Sequence, residues 1–273
     1  MLLSISATAD YDLPQETFLL LMVEPCLHGP NHHVMEESLQ TTPTRYAELA
    51  TDNFGNVVRR IVAPGGFFTF DFQAFVEVVP NTQLSQDAQE HTPEDVPQEA
   101  LKFTLPSRCC PSDMLQRMIW GEFGMIPPGG GRVRAIAEWV RHHVELRHGT
   151  TETRIRTIHG ILPAADEIFL RRIGDSRDRT HLFIACCRAL GIPARYVSGY
   201  CLGLDGPDFH NWAQVYLGAT WQNVDLTTAR VRPALVPIAV GRDAIDVSPL
   251  SVWGEGHLRE LSAQVRRVEA ITG

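Results

Sequence analysis

The chain is predicted to be an α+β protein, with an antiparallel, sandwich-like β region first and a region of helices followed by strands second. Three features lead there. The first third alternates apolar and polar residues with a period of two, the middle carries apolar residues at helical spacing, and the last third returns to short strand-like runs. With 273 residues, 44% hydrophobic and 21% charged, there is enough apolar side chain to build such cores. The expected division is an N-terminal β domain over 1–105 and an α+β domain over 106–273 that includes the C-terminal strands.

From Glu16 to about Pro80 the pattern is strand-like. It is clearest where Phe68, Phe70, Phe72, Ala74, Val76 and Val78 alternate with mainly polar residues. Asp52 to Asn56 supplies residues that tolerate left-handed backbone and is expected to turn between two strands. Asn81 to Gln98 is polar, holds Pro93 and Pro97, and predicts a long loop. Pro127 to Gly131 is a loop with a flexible glycine hinge; no Lys-Ser/Thr follows to make it a phosphate loop. After it, Val133, Ile136, Ala137, Val140 and Val144 predict a helix ending near Gly149. A second helix is expected around Leu182 to Leu190, stopped by Gly191 and Pro193. Short strands are expected over Arg195–Cys201, Asn211–Leu217 and Trp221–Leu226, and a last one at Leu261, Ala263 and Val265.

Composition narrows the partners. Acidic residues outnumber basic ones, 32 to 24, and no Lys/Arg run breaks the net charge of −8, so neither nucleic acid nor an anionic membrane is expected. The expected partner is a small molecule or a protein. The apolar run Phe18 to Val23 is too short to span a bilayer and no basic residues precede it, which reads as cytoplasmic. The six cysteines lack metal or disulfide spacing and are expected to be reduced, mostly buried thiols. His142, His143 and His148 do not share a ligand face, so surface histidines are expected and no metal site.

The informative segment runs from Gly174 to Tyr200. It places Ser176 where a helix should begin, a position at which unpaired N–H groups favour developing negative charge. A nucleophile there would be helped, although a serine before a helix is more often simply its cap. Further on, His210 opens a strand and Asp225 ends the next. Adjacent antiparallel strands can set the two side by side, the carboxylate fixing the imidazole while its other nitrogen faces the helix start.

These segments together resemble the transglutaminase-like superfamily, in its bacterial group of candidate cysteine proteases. The family's G-x-C-R-D-x-x-H-L run falls on Gly174–Leu182, its R-A-L-G-I-P-A-R-x-V-x-G-Y on Arg188–Tyr200, its H-x-W-x-E-V on His210–Val215, and its W-x-x-x-D on Trp221–Asp225. Asp52–Asn56 and Gly241–Pro249 resemble its N-terminal domain and closing segment. The resemblance implies a papain-like catalytic domain over 106–273, preceded by the β domain. It also implies amide-bond chemistry through a covalent acyl intermediate. Residue 176 would attack a carboxamide or peptide carbonyl, His210 would move the proton, Asp225 would orient it, and helix-start N–H groups would receive the oxyanion. The implied substrate is a peptide, protein or small-molecule carboxamide, with water giving hydrolysis and an amine acceptor giving transamidation. This mechanism calls for no cofactor and no metal, and no acidic loop matches the calcium sites of animal relatives.

Two departures matter. The family's nucleophilic cysteine falls on Ser176, and Gln214 replaces the glutamate after the tryptophan. Cys186 and Cys187 lie about 15 Å along the helix and cannot substitute. Ser176 is therefore open to three readings: a Cys-to-Ser inactive form of a cysteine enzyme, a non-catalytic pseudoenzyme that binds a peptide or acyl partner, or a working Ser-His-Asp hydrolase. Trp212 and Trp221 are candidates to wall the acyl-binding cleft, or core residues. Arg177 and Asp178 are candidates for an ion pair behind the nucleophile, or an ordinary helix-start bridge. A second oxyanion donor is expected upstream of Ser176.

Overall fold

The computed structural model describes residues 1–26, 31–147, 156–157, 162–204 and 206–268. Six strands come first: β1 (Leu2–Leu13), β2 (Thr17–Leu21), β3 (His32–Thr42), β4 (Ala47–Thr51), β5 (Val57–Ala63) and β6 (Gly66–Val78). The long connection 79–97 holds only a 3-10 turn at Pro93–Asp95. Then follow α1 (Gln98–Leu101), α2 (Ser112–Phe123), α3 (Gly130–His143), the short strands β7 (Glu145–Leu146) and β8 (Arg156–Thr157), α4 (Ala165–Arg171), β9 (Ile173–Gly174) and α5 (Ser176–Ala189). Six strands close the chain: β10 (Ala194–Cys201), β11 (His210–Leu217), β12 (Thr220–Val224), β13 (Leu235–Gly241), β14 (Leu250–Trp253) and β15 (His257–Arg267).

The β region consists of two sheets, β15-β1-β6-β3 and β4-β5-β2-β14-β8. On β1 the buried residues are Leu3, Ile5, Ala7, Ala9, Tyr11 and Leu13; on β6 they are Phe68, Phe70, Phe72, Ala74, Val76 and Val78. This strict alternation fixes the register, because a one-residue slip would turn every apolar side chain outward. Leu19, Leu21, Ile61 and Ala63 of the second sheet belong to the same buried cluster. The division at residue 105 is crossed, however. β14 pairs with β2 and β15 pairs with β1, so the last strands complete the N-terminal sheets instead of extending the α+β part.

The α+β core is built around α5, in which every residue from Asp178 to Ala189 is buried. It packs on α2, α3 and α4 and on β10 and β11 of the sheet β12-β11-β10-β13. The expected turn at 52–56 joins β4 to β5 and does more. Asp52 Oδ1 accepts from the Phe54 and Asn56 amides at 2.7 and 2.9 Å. The buried Asn56 side chain reaches across to β13, donating to the Val240 carbonyl at 2.9 Å and accepting from its amide at 2.8 Å. The glycines at the start of α3 do not make a hinge: a Cβ at Gly130, the first helical residue, would lie 1.9 Å from the Ser85 carbonyl oxygen. α3 stops at His143, earlier than expected, because Val144 turns into β7; Gly149 and His148 lie outside the described residues. Among the described residues no helix is long and apolar enough to cross a membrane.

Candidate active site

The start of α5 is capped by Asp175, not by Ser176. Asp175 Oδ1 accepts from the Arg177 and Asp178 amides at 2.9 and 3.1 Å, and Asp178 Oδ2 accepts from the Asp175 amide at 3.0 Å, a reciprocal capping box. Ser176 is thus the first helical residue, with a half-buried side chain that takes no part in the cap. The expected oxyanion donors narrow accordingly. The 177 and 178 amides are occupied, and the Ser176 N–H is the one left open at the helix start among the described residues. Arg177 pairs with Asp175 at 3.2 Å, so the bridge expected between Arg177 and Asp178 is replaced by an Arg177–Asp175 pair and a capping Asp178. Burial, helped by the nearby Asp175 charge, pushes the Asp178 carboxyl up to about 6.

His210 and Asp225 meet as expected. Continuing the β11–β12 ladder past Ala213 opposite Val224 brings the start of one strand to the end of the other, and His210 Nε2 donates to Asp225 Oδ2 at 2.9 Å. The carboxylate also accepts from Arg232 Nε at 3.2 Å and, on Oδ1, from the Thr227 amide and hydroxyl at 2.7 and 2.6 Å. Burial would raise this carboxyl, but the His210 and Thr227 hydrogen bonds outweigh it and hold it down at about 2. With Nε2 committed, Nδ1 is the nitrogen free to act on a neighbour.

The residue facing the Ser176 hydroxyl is one the sequence did not single out. Asn211 Nδ2 donates to Ser176 Oγ at 3.0 Å. Thr180 Oγ1, one turn into α5, lies 2.8 Å from the Ser176 carbonyl oxygen and 3.1 Å from Asn211 Oδ1, and so turns the amide to present Nδ2. Arg179 was also missed. Its buried guanidinium donates to the Val144 carbonyl at 2.9 Å, the Arg141 carbonyl at 3.0 Å and the Leu226 carbonyl at 3.1 Å. It therefore ties the C-terminus of α3, the start of α5 and the residue after Asp225 into one unit.

The two tryptophans lie elsewhere. Trp212 is fully buried beneath His210, the rings 6.0 Å apart, and donates through Nε1 to Asn223 Oδ1 at 2.9 Å. It supports the imidazole and cannot touch a substrate. Its indole crosses β10 at Gly199, where a Cβ would lie 2.6 Å from the ring and 2.3 Å from the Val236 carbonyl oxygen; this explains the glycine in the Val-Ser-Gly-Tyr run. Trp221 sits four residues before Asp225, roughly 13 Å along an extended strand, packed on Phe103 and Tyr216 with Arg195 stacked over it at 4.0 Å. Trp212 is thus a core residue, while Trp221 is partly exposed at the far end of β12 from Asp225. Gln214 accepts from Arg195 at 2.8 Å and donates to Asn223 Oδ1 at 2.9 Å, the second of which a glutamate could not do. Cys186 and Cys187 are fully buried, their thiols pushed up by desolvation, and His143 clusters with Trp139 and Phe169, the three rings in mutual contact.

Comparison with known proteins agrees with this architecture. The family model described as "Transglutaminase-like superfamily" matches residues 124–226, from the end of α2 through α5 to just past Asp225. A candidate cysteine protease from Cytophaga hutchinsonii, whose crystal structure extends to 1.9 Å, is 31% identical, with a TM-score of 0.87 over 100% of this chain and 92% of that one. An uncharacterized protein of Mycobacterium leprae is 30% identical over 127 residues, 43% of this chain and 42% of that protein. One of Mycobacterium tuberculosis is 34% identical over 107 residues, 33% of each. The chain thus spans less than half the length of these curated relatives. With its core matched by the family model and its whole length aligned to the Cytophaga protein, the chain belongs to the transglutaminase-like superfamily.

Proposed function

We propose that this fold carries out amide-bond hydrolysis or transamidation through an acyl–enzyme intermediate at position 176, and that the serine found there makes the present chain a slow or inactive form. The observation that carries the reading is the joint placement of a side chain left off the helix cap at 176 and an imidazole locked by Asp225 on the strand opposite. In the cysteine form, Sγ would bond to the carbonyl carbon while its proton passes to His210 Nδ1. Collapse of the tetrahedral intermediate would break the C–N bond, the departing amine taking that proton. Water or a second amine would then release the acyl group. The Ser176 N–H and Asn211 Nδ2 would receive the oxyanion, the latter from the strand and not from upstream. The substrate is a peptide, protein or small-molecule carboxamide. The description of the Cytophaga relative as a candidate cysteine protease supports the class of chemistry. The six free cysteines, five of them buried, suit the reducing cytoplasm.

A second reading has its own observation: Ser176 Oγ is hydrogen-bonded to Asn211 and not to His210, as suits a cleft that binds without reacting. The chain and its Ser176→Cys variant, treated with limiting iodoacetamide from pH 4 to 9, separate the readings. We expect position 176 of the variant to alkylate rapidly at low pH and to lose that reactivity with His210→Ala. A thiol no faster than an ordinary exposed one would favour the binding module. Fluorophosphonate labelling of Ser176 itself would establish the serine hydrolase.

A further inference from the structure

A cavity of about 460 Å³ lies beside Asp225, between one face of α3, the end of β12 and the loop that follows it. This is within the range of small-molecule sites. Its charge is unlike that of the rest of the chain. Arg134 and Arg141 face it from α3, and Arg230 and Arg232 from the loop, against two carboxylates, Glu138 and Asp225. In a protein of net charge −8, four guanidiniums gathered around one cavity are a local reversal of sign.

Arg232 is held by Asp225, the Gly203 carbonyl and the Thr227 hydroxyl, but the other three arginines are less completely satisfied from within. Asp225 is shared among His210, Arg232 and Thr227. Arg141 donates through Nη2 to the Asp225 carbonyl at 3.2 Å, while its Nε is buried without a partner. Among the described residues, neither Arg134 nor Arg230 has a carboxylate within 4.0 Å. The cavity also presents Leu84, Ala137 and Val224, all buried apolar residues. A short carbon body would lie on these while anionic ends meet the guanidiniums, whose planar forks match carboxylate geometry.

We propose that this cavity is a binding site for a small dicarboxylate. The proposal is independent of whether residue 176 catalyses anything. It is tested by titrating the full chain with glutarate, with its neutral isostere glutaramide and with inorganic phosphate, following binding by calorimetry and the Ala137 and Val224 methyl resonances by NMR. Glutarate is expected to saturate in the millimolar range and to shift those methyls, with glutaramide failing to saturate at tenfold higher concentration. The Arg134→Gln/Arg230→Gln pair is expected to weaken glutarate at least tenfold, whereas Arg45→Gln, a change at an exposed arginine outside the cavity, leaves it unaltered. The methyl shifts locate the site in the unsubstituted chain, so the result does not hang on the variants folding. Absence of saturation, shifts confined to other residues, glutaramide binding as well as glutarate, or affinity surviving the double substitution would each overturn it. Saturation by phosphate without glutarate would replace the dicarboxylate with a phosphoryl ligand.

Discussion

Asp225 accepts four hydrogen bonds from three residues, and the consequence is thermodynamic as well as geometric. Its carboxyl titrates at about 2 in the fold against an ordinary value of 3.8. A depressed carboxyl stabilises the fold above its unfolded pKa and loses that contribution as pH falls through the folded one, here between about pH 4 and pH 2. The contribution is about 2 kcal/mol at neutral pH. Urea midpoints of the unsubstituted chain should fall across that window, and those of Asp225→Asn should fall by correspondingly less. Asn211 allows a sharper test. If it serves the oxyanion, Asn211→Ala in the Ser176→Cys background should slow acylation by p-nitrophenyl acetate on the order of 100-fold. Alkylation by iodoacetamide, which forms no oxyanion, should change little; a merely structural role would slow both together. The sequence led to His210, Asp225 and position 176 because each belongs to a patterned segment. Asn211 stayed hidden because it occupies an unspecified position of its motif, and only the fold shows that the strand turns it toward the helix.

At the level of elements, the start of α5 holds a stored cost. Asp178 is 2% exposed and titrates at about 6, well above its ordinary value, so the folded state favours its protonated form. That contribution is complete below about pH 4 and is lost as pH rises through 6, a penalty of up to about 3 kcal/mol. Asp178→Asn keeps an acceptor for the Asp175 amide and removes the charge. It should match the unsubstituted chain below pH 4 in chemical denaturation and exceed it above pH 6. Gly199→Ala should act in the opposite direction, since its methyl would press on Trp212 and on the Val236 carbonyl; a loss of about 1–3 kcal/mol in thermal unfolding is expected. The regular elements were legible where burial is one-sided. The alternation of β6, the spacing of α3 and the stop after α5 all read directly. β1 was missed although it alternates strictly, because Ala7 and Ala9 add little apolar signal to it. α2 was missed because exposed Met114, Met118 and Trp120 blur the buried stripe of Leu115, Ile119 and Phe123.

At the scale of the whole molecule, the division into a β part and an α+β part followed composition along the chain, but sheet pairing is not local in sequence. Nothing in the alternation of Leu261, Ala263 and Val265 says that their strand will pair with residues 3–12. Deleting 257–273 should therefore do more than trim the α+β part. It would uncover the whole edge of β1, and hydrogen exchange should show β1 and β6 losing protection first, with α5 affected later. The clasp from Asn56 to Val240 holds the parts together at a second point.

The pairing of β1 with β15 also bears on the order of events at the ribosome. β1 can meet β6 as soon as that strand is made, yet its other edge must wait until the intervening α+β core has been translated and β15 has emerged. During that interval the nascent chain carries an open, twelve-residue strand edge on an otherwise formed sheet. Completion of the first sheet thus follows translation of the α+β core, and a chain stalled before β15 is left with the very edge that invites aggregation.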